Sequence, residues 1–173
     1  IGSVVAALKK AKQVAWLTVP DYAIEAGEQA LRDLLPRESQ TKFCDLALLS
    51  LIHPFAVTTE AETTQILRNV EYHLVRDKGV IRYKLDRYFN ANADGYSEEA
   101  EWCFGLSWLA IIYAERGDQE RAHYWLERAR GAINENGVVP ELYYSHTDRY
   151  NEHTPLAWAE SMYVIALKKV RDL

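Results

Sequence analysis

Apolar positions recur at helical spacing in seven segments of the chain, and no stretch alternates convincingly with the two-residue period of a strand. Val4, Leu8, Ala11 and Ala15 line one face of a segment from about Val4 to Leu17. Pro20 and Asp21 break it, and a second helix runs to Leu35, stopped by Pro36. A third, short and almost wholly apolar, covers Phe43 to Ile52 and ends before Pro54. Thr59 and Glu62 have capping-box spacing, each side chain satisfying a free backbone N–H, and predict the start of a fourth helix. Its stripe is Ile66, Leu67, Val70 and Leu74, and Gly79 is placed to close it. The fifth is predicted from near Ser97 through Trp102, Cys103, Phe104, Leu106, Trp108, Leu109, Ile111 and Ile112 to Gly117. The sixth starts at Asp118, with a narrow stripe of Ala122, Trp125, Leu126, Ala129 and Ile133. The last begins at Thr154-Pro155, a cap residue followed by proline at the first helical position, and continues through Trp158, Met162, Tyr163, Val164, Ile165, Leu167 and Val170.

These helices alternate in character. The third, fifth and seventh are apolar nearly all round, whereas the second, fourth and sixth carry one apolar stripe and a charged face. A helix apolar on every side must be buried on every side. Hairpins with an inner and an outer member produce this pattern, so an all-α layered or ring-like array of paired helices is predicted rather than a simple bundle. Trp108-Leu109-Ala110, Tyr113, Gly117-Asp118, Ala122 and Ala129 resemble a tetratricopeptide repeat. That architecture needs stacked copies at a period of about 34 residues, and no second copy stands at that offset.

Two connections stand out. One, between the fourth and fifth helices, reads Gly79, Arg82-Tyr83, Asp86-Arg87-Tyr88-Phe89, then Asn90, Asn92, Asp94 and Tyr96. The other, between the sixth and seventh, reads Gly137, Pro140-Glu141-Leu142-Tyr143-Tyr144, Thr147-Asp148 and on to Trp158. Loops of roughly twenty residues inside a helical domain are usually functional. Each leaves an amphipathic helix and enters an apolar one, which places both on the same face of the array. The shorter loop from Pro36 to Lys42 shares that face.

Charge narrows the partner. Twenty Lys plus Arg against 25 Asp plus Glu, a net charge of −5, offer no basic stripe for nucleic acid. No apolar run reaches the roughly 18 residues of a membrane span. None of the five histidines has metal-ligand spacing, His146 and His153 being the nearest pair, so neither metal nor cofactor is expected. Cys44 and Cys103 lie in apolar stretches and read as buried reduced thiols, which suits a cytoplasmic setting, beside the alternatives of a disulfide or a reactive site. The chain starts at Ile1 and its only methionine is Met162, so it reads as a piece of something longer. Five Trp and 11 Tyr are generous, and such residues fill cores as well as sugar clefts.

The ordered set Arg82-Tyr83-Lys-Leu-Asp86-Arg-Tyr88, Trp102, Gly117-Asp118, Val139-Pro140-Glu141-Leu142, Thr147-Asp148 and Pro155-Leu156-Ala157-Trp158 resembles glycoside hydrolase family 15. This is the family of glucoamylases and the related glucodextranases and trehalases. Upstream, Asp45-Leu-Ala-Leu-Leu with Pro54-Phe55 is similar to its Asp-x-x-Leu-Leu helix. The resemblance implies an α/α toroid of about six hairpins, of which residues 1–173 are the C-terminal half ring. It implies hydrolysis of α-glucosidic linkages with inversion. Glu141 matches the family's general base, with Arg82, Tyr83, Asp86, Trp102 and Tyr143 as substrate-binding positions.

Guanidinium and carboxylate groups offer several donors and acceptors to vicinal hydroxyls, and an aromatic face covers the C–H side of a sugar ring. Inversion also needs a protonated carboxyl about 6.5–9.5 Å from the base. In the family that acid lies upstream of the region Ile1 begins, so the chain alone is expected to be inactive. Where the family has Gln after the base, this chain has Leu142.

At the level of single residues, Glu141 also reads as a solvated loop carboxylate and Arg82–Asp86 as a loop-ordering ion pair. Tyr143, Tyr144 and Tyr150 read equally as loop packing. Glu98, Glu99 and Glu101 read as a charged helix N-terminus. Two other functions stay open: a glucoamylase-like regulatory or binding domain without turnover, as in the large subunits of phosphorylase kinase, and a helical-repeat interaction module. A half ring would expose an apolar seam, for which the missing N-terminal half or self-association is the expected partner.

Overall fold

A computed structural model describes residues 1–88 and 99–173. Phe89, Asn90, Asn92, Asp94, Tyr96, Ser97 and Glu98 lie outside the described residues. The described chain is all-α: α1 (Gly2–Ala11), α2 (Asp21–Leu34), a 3-10 turn (Leu46–Leu48) leading into α3 (Leu49–Ile52), α4 (Glu60–His73), α5 (Phe104–Glu115), α6 (Gln119–Arg130) and α7 (Ala157–Arg171). Two-residue strands β1 (Glu101–Trp102) and β2 (Leu142–Tyr143) are the only β-ladder among the described residues.

Packing follows the alternation read from the sequence. Helix α1 pairs with α2, α3 with α4 and α5 with α6, while α1 touches α3, α3 touches α5 and α5 touches α7. The odd-numbered helices therefore make an inner row and the even-numbered ones an outer row. Every residue from Phe104 to Ala114 of α5 is buried, as its all-round apolar surface requires. The stripe of α4, Ile66, Leu67, Val70 and Leu74, is at most 2% exposed, and its capping box is formed on both sides. Between α5 and α6 the chain turns at Gly117, whose φ of +73° favours glycine. The Asp118 side chain then caps α6 by accepting from the Arg121 N–H at 3.1 Å.

Several expectations change. The third helix begins not at Phe43 but as the 3-10 turn at Leu46, where the Asp45 side chain accepts the Ala47 N–H and caps it. Helix α1 ends at Ala11, not Leu17, because the chain tightens into three-residue turns, Val14 N–H to Ala11 O and Leu17 N–H to Val14 O. It buries Gly2 and Val5, while Val4 is exposed. The fifth helix starts at Phe104, since residues 101–103 are drawn into strand pairing instead. The seventh starts at Ala157, because Thr154 is engaged with the loop before it. Finally, α7 is not buried all round: Ala159, Met162, Ala166 and Val170 are buried, but Trp158, Val164 and Ile165 are 40–61% exposed. Helix α5 has inner neighbours on both sides, whereas α7 ends the inner row and its far side is uncovered.

Gly79 does not close α4, which ends at His73 with Leu74 as its cap. It lies against the backbone of β1, where a Cβ would stand 2.6 Å from the Glu101 carbonyl carbon and 2.8 Å from that of Trp102. Neither partner is a flexible side-chain end, so relief requires the strand to move. Gly79→Ala is expected to destabilise the protein by about 1–3 kcal/mol, the usual range for overpacking, measured by urea unfolding. An unchanged midpoint would show that β1 is not held at this position.

Candidate functional site

Four segments gather at one end of the inner helices, held by main-chain hydrogen bonds. The Leu46 N–H donates to the Arg82 carbonyl at 2.7 Å. Val80 and Trp102 exchange N–H···O bonds at 3.0 and 3.1 Å, and β1 pairs antiparallel with β2, Glu101 opposite Tyr143 and Trp102 opposite Leu142. The Cys103 N–H donates to the Glu141 carbonyl at 3.2 Å. The two long loops thus lie on the same face, as expected. The 36–42 loop joins them through Lys42, whose Nζ sits 3.8 Å from the Tyr83 ring centroid and 2.8 Å from Asp45 Oδ2.

Two acids read as a helix N-terminus turn out to be clasps. Glu101 is 1% exposed and accepts the Lys78 N–H at 2.6 Å and the His146 N–H at 3.2 Å, tying one long loop to the other. Glu99, also buried, accepts the Leu85 N–H. Lys78 reinforces the clasp through an ion pair to Asp148 at 3.0 Å. A buried carboxylate needs such donors. From the sequence alone, a run of Glu ahead of an apolar helix shows none of this.

Glu141 is half-buried and held at three points. Its carbonyl accepts from Cys103, its N–H donates to Thr154 Oγ1 at 3.4 Å, and its Oε2 accepts a hydrogen bond from the Asn151 side-chain amide. No other described side chain bonds its second oxygen. Asn151, 2% exposed, is a residue the sequence reading missed, since a lone Asn ten positions downstream carries no motif.

Arg82 and Asp86 form a two-pronged pair, Nε to Oδ2 at 2.5 Å and Nη2 to Oδ1 at 2.9 Å. The guanidinium carbon lies 4.7 Å from the Tyr88 ring centroid and 4.9 Å from that of Trp102, the two rings being nearly parallel. Trp102 is 6% exposed, so its ring backs this corner rather than opening to solvent. An aromatic file continues from Trp102 through Phe104 at 6.0 Å to Trp158, which stacks on Phe104 at 4.2 Å. Its exposed ends are Tyr88 and Trp158. Tyr143 is buried and donates its hydroxyl to the Ala132 carbonyl at 3.1 Å, a packing role, and burial pushes its pKa up to about 12.

Both cysteines are free and buried, and burial raises the Cys44 thiol to about 12. Among the described residues no cluster of three His, Cys, Asp or Glu could hold a metal, and no helix is long and apolar enough to cross a membrane.

Burial alone would raise the Asp86 carboxyl, but hydrogen bonds from Arg82 and the Tyr88 N–H outweigh it and hold the carboxyl below its usual range. A depressed pKa contributes stability that is complete above the unfolded value, about 3.9, and is lost as pH falls through the native one. Asp86→Asn is therefore expected to cost about 1–2 kcal/mol near neutral pH, discounted because water reaches a third of Arg82. The difference from wild type should shrink below about pH 4. Equal differences in urea unfolding at both pH values would mean that the ion pair does not stabilise the loop.

No protein-family model matches the chain. It is 29% identical over 180 aligned residues to a probable phosphorylase b kinase regulatory subunit alpha from Caenorhabditis elegans, covering 85% of this chain and 15% of that protein. Among solved structures, a wild-type glycosidase matches with a TM-score of 0.73 at 19% identity, covering 99% of this chain and 51% of that one. A glutamate-to-alanine variant of a glycosidase, in complex with glucose, matches with a TM-score of 0.73 at 18% identity and the same coverage. The chain thus spans about half the length of these glycosidases and a small part of the nematode protein. At these identities the likeness is one of fold: this all-α array is built like half of a glycosidase.

Proposed function

We propose that this chain is the C-terminal half of a glucoamylase-like α/α toroid, and that Glu141 is the general base of an inverting α-glucoside hydrolase. The carrying observation is Glu141 itself. It is a carboxylate pinned by its backbone and one oxygen where the loops entering α5 and α7 meet, with its other oxygen unbonded among the described side chains. A general base needs such a fixed carboxylate within reach of a water. Arg82, Tyr83 and Asp86 form the polar corner of the sugar site, with Trp102 behind it. Trp158 is the exposed aromatic surface offered to a ring, and Tyr143 holds the loop from within. The inner and outer rows continue into a closed ring with a second half that supplies the acid and covers the exposed side of α7. The fold shared with glycosidases, one of them holding glucose, supports this reading.

A second reading has its own support: the relative named as a phosphorylase kinase regulatory subunit, together with Leu142. On that reading the same cleft binds a glucan without turnover.

In the full-length protein, Glu141→Gln is expected to lower turnover of maltooligosaccharides by at least about a hundredfold with little change in binding. Unchanged turnover removes Glu141 from the mechanism, and glucan binding with no turnover by wild type favours the regulatory reading. The chain by itself is expected to release no glucose and to self-associate through α7, judged by size-exclusion chromatography. A well-behaved monomer would argue against the half ring.

A further inference from the structure

We propose that Asn151 is a positioning residue for Glu141, fixing which carboxylate oxygen is presented to the attacking water. The proposal rests on Glu141 being the base. A glutamate side chain has three free torsions, and a base useful in catalysis must hold one orientation closely. The residue next to Glu141 does not help, because Leu142 is apolar and wholly buried. The amide comes instead from across the loop. Asn151 Nδ2 donates to Glu141 Oε2, leaving Oε1 to take the proton.

Asn151 is itself locked. It is 2% exposed, its N–H donates to the Leu142 carbonyl at 3.4 Å, and its Oδ1 accepts from Thr154 Oγ1 at 3.4 Å. A carboxylate only accepts hydrogen bonds, so the amide must turn its NH2 towards Glu141 and its oxygen towards the Thr154 hydroxyl. Thr154 also receives the Glu141 N–H, so Glu141, Asn151 and Thr154 form a closed loop of three hydrogen bonds. All three bonds lie between residues 141 and 154.

Asn151→Asp separates the two halves of the amide, because it keeps the acceptor for Thr154 and replaces the donor to Glu141 with a second carboxylate. In the full-length protein acting on maltotriose, Asn151→Asp is expected to lower kcat about a hundredfold with KM within about threefold. In a Glu141→Gln background the same change should lower the residual rate no further, since both substitutions act through one group. A full additional loss there would overturn the proposal, as would wild-type kcat in Asn151→Asp when Glu141→Gln is inactive. Unchanged turnover in Glu141→Gln, or a wild type without turnover, instead removes the base reading and this inference with it. If Asn151→Asp lowers the unfolding midpoint, Thr154→Val supplies the second test. It deletes the hydroxyl that orients the amide and should reduce kcat about tenfold at constant KM, and no change in kcat overturns the proposal.

Discussion

Main-chain pairing at Trp102 is the constraint on which the site depends. One residue of β1 exchanges two hydrogen bonds with Val80 and lies opposite Leu142, and the next, Cys103, takes the Glu141 carbonyl. Three segments far apart in sequence are thereby sewn together in the space of two residues. The helices behind them have their own reason to pack, since α5 is apolar on every side and the outer helices carry one stripe each. The loops have no such reason. Without the ladder their polar backbone would have to be satisfied by water, and nothing would bring Glu141 and the Arg82 corner to the same end of the array.

Side chains complete what the backbone begins, and they do so with buried acids. Glu101 and Glu99 each accept a backbone N–H from the 78–85 segment, and Glu101 adds one from His146. A carboxylate offers about four acceptor positions on a short arm, which suits it to tying two loops together. Gly79 fits the same logic, since its missing Cβ lets the chain pass against β1 closely enough for the clasp to form.

Much of the array was legible because its cause is periodic. The capping box at Thr59 and Glu62, the stripe of α4, the turn at Gly117-Asp118 and the burial of α5 all follow from local spacing. The same spacing misled wherever a non-local bond won. Trp102 and Cys103 continue an apolar run that reads as helix, yet their N–H groups are claimed by Val80 and Glu141. Thr154-Pro155 has the form of a helix start, yet the threonine hydroxyl serves Glu141 and Asn151. A two-residue strand is too short to show a period, and Asn151 is marked by no pattern at all. The candidate positions can be named from the sequence, whereas the hydrogen bonding among them is tertiary.

Trp158 joins the site to the uncovered edge of the fold. Its ring stacks on Phe104, the buried middle of the aromatic file that starts at Trp102, while about half of its surface faces outwards beside Val164 and Ile165. A residue shared in this way couples two requirements that are usually separate. The exposed half of Trp158 lies on the uncovered side of α7, while its other half is held in the stack on Phe104. Burial of that face is a stability term that scales with apolar area, whereas the stacking geometry at Phe104 is a positional term with little tolerance. Helix α7 therefore carries one end of the aromatic file as well as ending the inner row.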